Sequence, residues 1–129
     1  MRITLKDIKA LGLEYEVQGG DPDAREKQGR PEGEFQDKVM DYAALRGWLR
    51  AHFRPAKTDR GWRTPVSGDG NGFPDLILAR ERLVVVECKS LTGRLTDDQK
   101  RWIEAFLRCG TETYVWRPDD WDEVVKTLE

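Results

Sequence analysis

The sequence is poor in the residues that build sulfur or imidazole sites. Two cysteines, Cys88 and Cys109, share no CxxC spacing and have no clustered His or Cys neighbours, which argues against a zinc site and against a disulfide framework. Cys88 reads as a small buried residue. His52 is the only histidine. No apolar run approaches the roughly 18 residues needed to span a bilayer, and the N-terminal MRITLKDIKALG has neither a long apolar core nor a small-residue cleavage pattern. The expectation is a soluble, cytoplasmic chain with no membrane partner. An excess of one charge is also missing: 22 Lys and Arg face 24 Asp and Glu, for a net charge of −2, far from the imbalance of a disordered chain. With 129 residues the chain is long enough for one compact domain and too short for two of ordinary size, so one site should carry the function.

What is present is unevenly distributed. Arg46, Arg50, Arg54, Lys57, Arg60 and Arg63 follow one another with Asp59 as the only intervening acid. Such a stripe suits a polyanion, whose phosphates Lys and Arg neutralise; a solvated loop is the plainer reading. Trp62 stands between Arg60 and Arg63, where it can stack on an unpaired base or pack over a sheet edge. The stripe, with His52 on the polar face of the adjoining strand, forms the candidate polyanion contact: Arg50, His52, Arg54, Lys57, Arg60, Trp62 and Arg63; for His52 a surface histidine of no special role is the plainer reading.

Punctuation and periodicity divide the chain further. Residues 1–30 open with a short amphipathic stretch (Ile3, Leu5, Ile8, Leu11, Leu13) and continue into VQGGDPDAREKQGRPEGE, whose Gly, Pro and charge predict an N-terminal arm and flexible linker before a domain over 31–129. Phe35, Val39, Tyr42, Ala43 and Leu45 recur at helical spacing up to Gly47, a C-terminal cap. WLRAHFR alternates as a half-buried strand, with Leu49, Ala51 and Phe53 on one face. After SGDGNG come two runs of strand type, DLILA and LVVVECK, joined by Arg80, Glu81 and Arg82. Thr96 and Gln99 match a capping box before a helix carrying Trp102, Ile103, Phe106 and Leu107. TETYVW reads as a strand, and Asp119 or Asp120 caps a last helix. The predicted order is α-β-β-β-α-β with an extra C-terminal helix, an α/β fold with a mixed central sheet flanked by helices.

The chemistry sits where the two strands begin and end. Pro74-Asp75 opens one, and Glu87-Cys88-Lys89 closes the next. Side chains repeat with period two along a strand, so Glu87 and Lys89 share a face while Cys88 points to the other. In an antiparallel hairpin Asp75 lies opposite Glu87 if Arg80 to Arg82 form a three-residue turn, and falls on the wrong face with a two-residue turn. Two adjacent carboxylates resist ionising together unless a cation lies between them, and hard oxygen ligands suit Mg²⁺ or Mn²⁺. A lysine beside them can position a water or neutralise charge on a phosphoryl group. That is the equipment for phosphodiester hydrolysis.

The strings GDGNGFPDLIL, VVVECKS, LTDDQKRW and YVWRPDDW, in this order after a helix bearing ExxFQ and GW, resemble the VRR-NUC branch of the PD-(D/E)XK nuclease superfamily. The resemblance runs from about Pro31 to Leu128 and rests on the combination, since each short motif alone is common. It implies a restriction-endonuclease-like core, divalent-metal-dependent cleavage of DNA, and, for short standalone phage-type members, homodimers acting on branched DNA such as Holliday junctions, inside a bacterial or phage-infected cell. By position, Asp75 and Glu87 resemble the metal ligands, the Cys88 carbonyl a backbone ligand and Lys89 the catalytic lysine. Glu32 resembles the first-helix acid, with Glu34 two residues away as its rival, and Gln99 the glutamine that faces the site. A module of the same fold that binds branched DNA or a protein partner without cutting is the alternative.

Overall fold

The computed structural model describes residues 22–53, 56–63 and 66–129. Helix α1 (Pro22–Leu45) leads to strand β1 (Leu49–His52), a small hairpin of β2 (Ala56–Thr58) and β3 (Gly61–Arg63), and the strands β4 (Leu76–Ala79) and β5 (Leu83–Cys88). Helix α2 (Asp97–Arg108), strand β6 (Glu112–Trp116), a single 3-10 turn (Pro118–Asp120) and helix α3 (Trp121–Leu128) complete the chain. The main sheet has the order β1-β4-β5-β6. Its first three strands are antiparallel, and β6 joins β5 in parallel, which requires the crossover that α2 supplies.

Period-two alternation sends the two faces of this sheet to different helices. Leu76, Leu78, Val84, Val86, Cys88, Tyr114 and Trp116 meet Phe35, Val39 and Ala43 of α1 and Val124 and Leu128 of α3 in one buried cluster. The i, i+4, i+8 spacing of the three α1 residues is a single helical stripe. Each Val, Leu or Phe so buried contributes about 1.5–3 kcal/mol. On the opposite face α2 places Ile103 and Leu107 against Leu95 and Val115.

The ends of the elements follow from their sequences. At the end of α1, Gly47 adopts φ +81, and the Trp48 and Gly47 amides return to the Ala43 and Ala44 carbonyls, the αL ending that a residue without Cβ allows. Trp48 then turns inward and donates its indole N–H to the Leu128 carbonyl at 2.9 Å. Arg80, in the β4–β5 turn, stacks on the Trp48 ring and donates to the Arg46 and Glu129 carbonyls. One tryptophan and one arginine thereby join the ends of α1 and α3 to the sheet.

Four expectations need correction. The helix reaches back to Pro22 through residues 22–30, read from sequence as flexible linker. Pro22 supplies a φ suited to a first turn, Asp23 and Glu26 favour its positive end, and the run Ala24 to Gln28 is composed of strong helix formers. These outweigh Gly29 and Pro31, which the helix absorbs. The amphipathic stretch of residues 1–13 lies outside the described residues. Secondly, the apolar side of β1 is not half-buried: Leu49 is 76% exposed and Ala51 is exposed too, because β1 is an edge strand and α2 covers the far side of the sheet. Thirdly, the basic segment is not all loop, since Gly61 at φ +93 follows the Asp59–Arg60 turn of a short hairpin. Lastly, Asp120 stands at the N-cap of α3 without capping it; its carboxylate accepts the Arg117 N–H instead.

Candidate active site

The β4–β5 register decides which face Asp75 occupies. Leu76 pairs with Val86 and Ala79 with Leu83, so Arg80 to Arg82 form the three-residue turn and the next pair along places Asp75 opposite Glu87, on the face that α2 covers. The Cys88 amide donates to Asp75 Oδ2 at 3.0 Å, which ties the carboxylate to the end of β5. Lys89 follows on the Glu87 face and is buried, with 7% of its surface exposed. The Cys88 thiol is buried on the other face, and its burial pushes its pKa well up, so only its backbone is available to the site.

Glu87 is held from several sides. Its side chain is 1% exposed. Burial, and then the negative charge of Asp75, hold its carboxyl well above the ordinary carboxylate range, against the opposing pull of Lys89. One oxygen, Oε1, accepts from Gln99 Nε2 at 2.9 Å. The other, Oε2, is buried with no hydrogen-bond partner.

Gln99 reaches Glu87 because of how α2 begins. The Gln99 amide N–H bonds the Thr96 hydroxyl, and the Gln99 side-chain oxygen accepts the Thr96 N–H at 2.9 Å, a complete capping box. With its oxygen so engaged, the side-chain amide has only its NH₂ to offer, and this points to Glu87. The capping and site-facing readings of Gln99 are therefore one arrangement. The glycine-rich turn sets the height of α2 over the sheet. Gly72, at φ +80, lies so close that a Cβ there would stand 2.4 Å from the Asp98 carbonyl carbon and 2.6 Å from the Gln99 nitrogen. The Trp102 indole donates to the Asp69 carbonyl from the same helix, and Phe73 packs edge-on against Trp102 and Phe106. The close neighbour of Gly72 is therefore α2.

From α1, Glu32 is half-buried and its charge acts on both Glu87 and Cys88, whereas Glu34 is exposed. The structure therefore brings Glu32 to the site. The basic residues are more scattered. Arg50 is exposed and donates to the Met40 carbonyl at 3.1 Å, His52 is half-buried at the end of β1, and Arg60 is exposed in the β2–β3 turn. Lys57, Trp62 and Arg63 belong to the hairpin backbone; their side chains, and Arg54 altogether, lie outside the described residues. The hairpin emerges at the Asp75 end of the sheet, where the Phe53 amide donates to the Asp75 carbonyl.

Sequence reasoning missed Arg117 as a member of this neighbourhood, although the WRP string contains it. Its guanidinium donates to the Ser90 and Gly93 carbonyls, just beyond Lys89. An arginine directly following a buried parallel strand was the available signal.

A hard divalent cation fits what is here. Among the described residues no three His, Cys, Asp or Glu side chains stand together at ligand spacing, so the protein offers a partial set, two carboxylates with a backbone carbonyl next to them. Mg²⁺ is commonly held by one or two carboxylates, with water and substrate phosphate completing its shell. The unpartnered, buried Glu87 Oε2 is the atom that such an ion would satisfy. Among the described residues no helix is long and apolar enough to cross a membrane. The model of the VRR-NUC domain family matches residues 35–119, about two thirds of the chain and every site residue except Glu32. Comparisons with curated proteins and with solved structures give no match.

Proposed function

Because the chain belongs to the VRR-NUC domain family, a PD-(D/E)XK-type nuclease domain that acts on DNA, we propose that it is a divalent-metal-dependent endonuclease selective for branched DNA. In this reading Asp75, Glu87 and the Cys88 carbonyl hold Mg²⁺ or Mn²⁺, and Lys89, Glu32 and Gln99 complete the active site. The observation that carries it is the buried Glu87 carboxylate, set opposite Asp75 with Oε2 unpartnered. An ionised carboxylate oxygen buried without a hydrogen-bond partner beside a second carboxylate costs stability, and a bound cation would offset that cost.

In this reading each residue has a role. A bound divalent ion supplies a Lewis acid at the scissile phosphoryl group and lowers the pKa of a bound water. Lys89 stands beside Glu87 and can orient the attacking water or offset the charge that develops on the phosphoryl oxygens. Gln99 holds Glu87 in one rotamer through Oε1, leaving Oε2 directed into the site. Glu32 adds negative charge from α1 and can orient a water at the site. Arg50, His52, Arg54, Lys57, Arg60, Trp62 and Arg63 grip the DNA backbone, with Trp62 available to stack on an unpaired base at a junction. A domain of this size offers little surface to DNA, which favours a two-fold dimer cutting two strands.

The test compares the purified chain with Lys89→Ala and Asp75→Asn on supercoiled plasmid, linear duplex and a four-way junction, in Mg²⁺, Mn²⁺ or EDTA. Metal-dependent cutting of the junction ahead of the duplex is expected, abolished in both variants while DNA binding persists. Light scattering of the free chain should give twice the monomer mass. Junction binding without cutting in any metal would overturn the nuclease in favour of a binding module.

A further inference from the structure

The segment after Lys89 is held from an unexpected direction. Lys89 leaves β5 with its amide bonded to the Trp116 carbonyl at 2.9 Å, the last rung of the parallel ladder. The chain then folds back: the Gly93 amide donates to the Ser90 hydroxyl at 2.9 Å, and both residues are buried. One terminal nitrogen of Arg117, the residue after Trp116, donates to the Ser90 carbonyl at 2.5 Å and to the Gly93 carbonyl at 2.7 Å. The two protons of that nitrogen thus clasp both ends of the turn. The Arg117 backbone is in turn fixed by Asp120, whose carboxylate accepts its N–H at 2.9 Å.

This clasp bears on the lysine. A Cβ on Gly93 would lie 3.5 Å from Lys89 Cδ and 2.9 Å from the Ser90 hydroxyl, so the Gly93 backbone forms a wall against the aliphatic stem of Lys89. A four-carbon stem has many rotamers, and a charged amine is useful beside Glu87 in few of them. The Trp116 carbonyl fixes the Lys89 backbone, while Arg117, through Gly93, fixes the wall that confines its side chain.

We propose that Arg117 is a positioning residue, which locks the Ser90–Gly93 turn so that the Lys89 side chain is held on the Glu87 face of the sheet. The catalytic part of this rests on the nuclease reading; the clasp does not. Outer partners of this kind change activity by about 10- to 100-fold when removed, because small misplacements of a reacting group are costly.

The decisive comparison is Arg117→Ala and Arg117→Lys against the parent chain, with two independent readouts. The first is NMR of the Lys89 side-chain carbons, identified by their disappearance in Lys89→Ala, which needs no activity. The second is the single-turnover rate at saturating four-way junction in Mg²⁺, measured with the DNA Kd. In Arg117→Ala the Lys89 signals should move and narrow, and the rate should fall about 10- to 100-fold with Kd and the Mg²⁺ midpoint unchanged, since Asp75 and Glu87 are set by the β4–β5 pairing. Arg117→Lys should recover part of the rate. Unmoved Lys89 signals in a folded variant, or a loss of DNA affinity that accounts for the loss of rate, would overturn the proposal. If Arg117→Ala fails to fold, Arg117→Lys carries both readouts, with smaller shifts in the same direction. A parent chain that cuts nothing while Arg117→Ala still moves the Lys89 signals would sink the nuclease reading and leave the clasp standing.

Discussion

At the level of single residues, Glu87 sets the terms. Its carboxyl has a folded pKa raised by burial and by Asp75, so the folded metal-free chain holds a proton that the unfolded chain has already released. Stability is then greatest below the ordinary carboxylate pKa and declines as pH rises from there toward the raised folded value. Glu87→Gln removes that decline. In EDTA the variant should melt several degrees above the parent at pH 8, on the order of 1–3 kcal/mol for an uncompensated buried polar group, with the gap closing toward pH 4. Added Mg²⁺ should raise the parent's Tm at pH 8 and leave the variant's unchanged. Thermal melts at both pH values with and without metal check all three statements.

Much of this was legible in the sequence because it depends on parity and short spacings. The three residues between Ala79 and Leu83 determine that Asp75 meets Glu87, and Thr96 with Gln99 announces a capping box by spacing alone. That the capping amide would also reach Glu87 was not legible, because it depends on the height of α2 above the sheet. Glu32 and Glu34 were likewise inseparable until the rotation of α1 put one inward and the other in solvent.

Among the elements, α2 and the glycine-rich turn act as one unit. Thr96→Ala should cost about 1 kcal/mol through removal of the cap while sparing the Gln99–Glu87 bond, so cleavage should fall little. Gln99→Ala should cost a similar amount and also depress cleavage strongly. Denaturant unfolding paired with single-turnover rates separates the two. In the turn, Gly68 and Gly72 both have positive φ, but a Cβ on Gly68 meets nothing within 4 Å whereas one on Gly72 strikes the α2 backbone. Gly68→Ala should therefore cost only the conformational term, about 1–3 kcal/mol. Gly72→Ala should cost clearly more and lower activity in the molecules that remain folded, as urea titration and cleavage assays would show. The elements that sequence reasoning misread share a cause: their outcome is set by tertiary context. β1 alternates correctly yet lies at an edge, and residues 22–30 carry helix breakers outweighed by their neighbours.

Taken whole, the molecule has a net charge of −2, so any affinity for DNA must arise from local charge. The basic stripe that runs through β1 and the β2–β3 hairpin is the only segment of the sequence with that density. Lys57→Ala and Arg60→Ala should each weaken DNA binding to a similar extent on any sequence and reduce the slope of log K against log salt by about 0.9 for each phosphate no longer neutralised. Substituting the exposed Arg101 on α2 should leave the slope unchanged. Titrations at several salt concentrations give the answer.

The mixed sheet also fixes an order of assembly. The Asp75–Cys88 contact spans 13 residues and the Gln99–Glu87 contact 12, while the Arg117 clasp closes over 24 and 27. Loop closure grows harder with separation, and parallel pairing cannot begin until the crossover exists. The β4–β5 hairpin can thus form early, pressing two acids together in a chain that has not yet gathered the groups that steady them. In φ-value terms the hairpin belongs near the nucleus and the Arg117 clasp near zero. Mutations at the clasp should therefore speed unfolding and leave refolding almost untouched, making the last-formed stitch the one that governs how long the finished site endures.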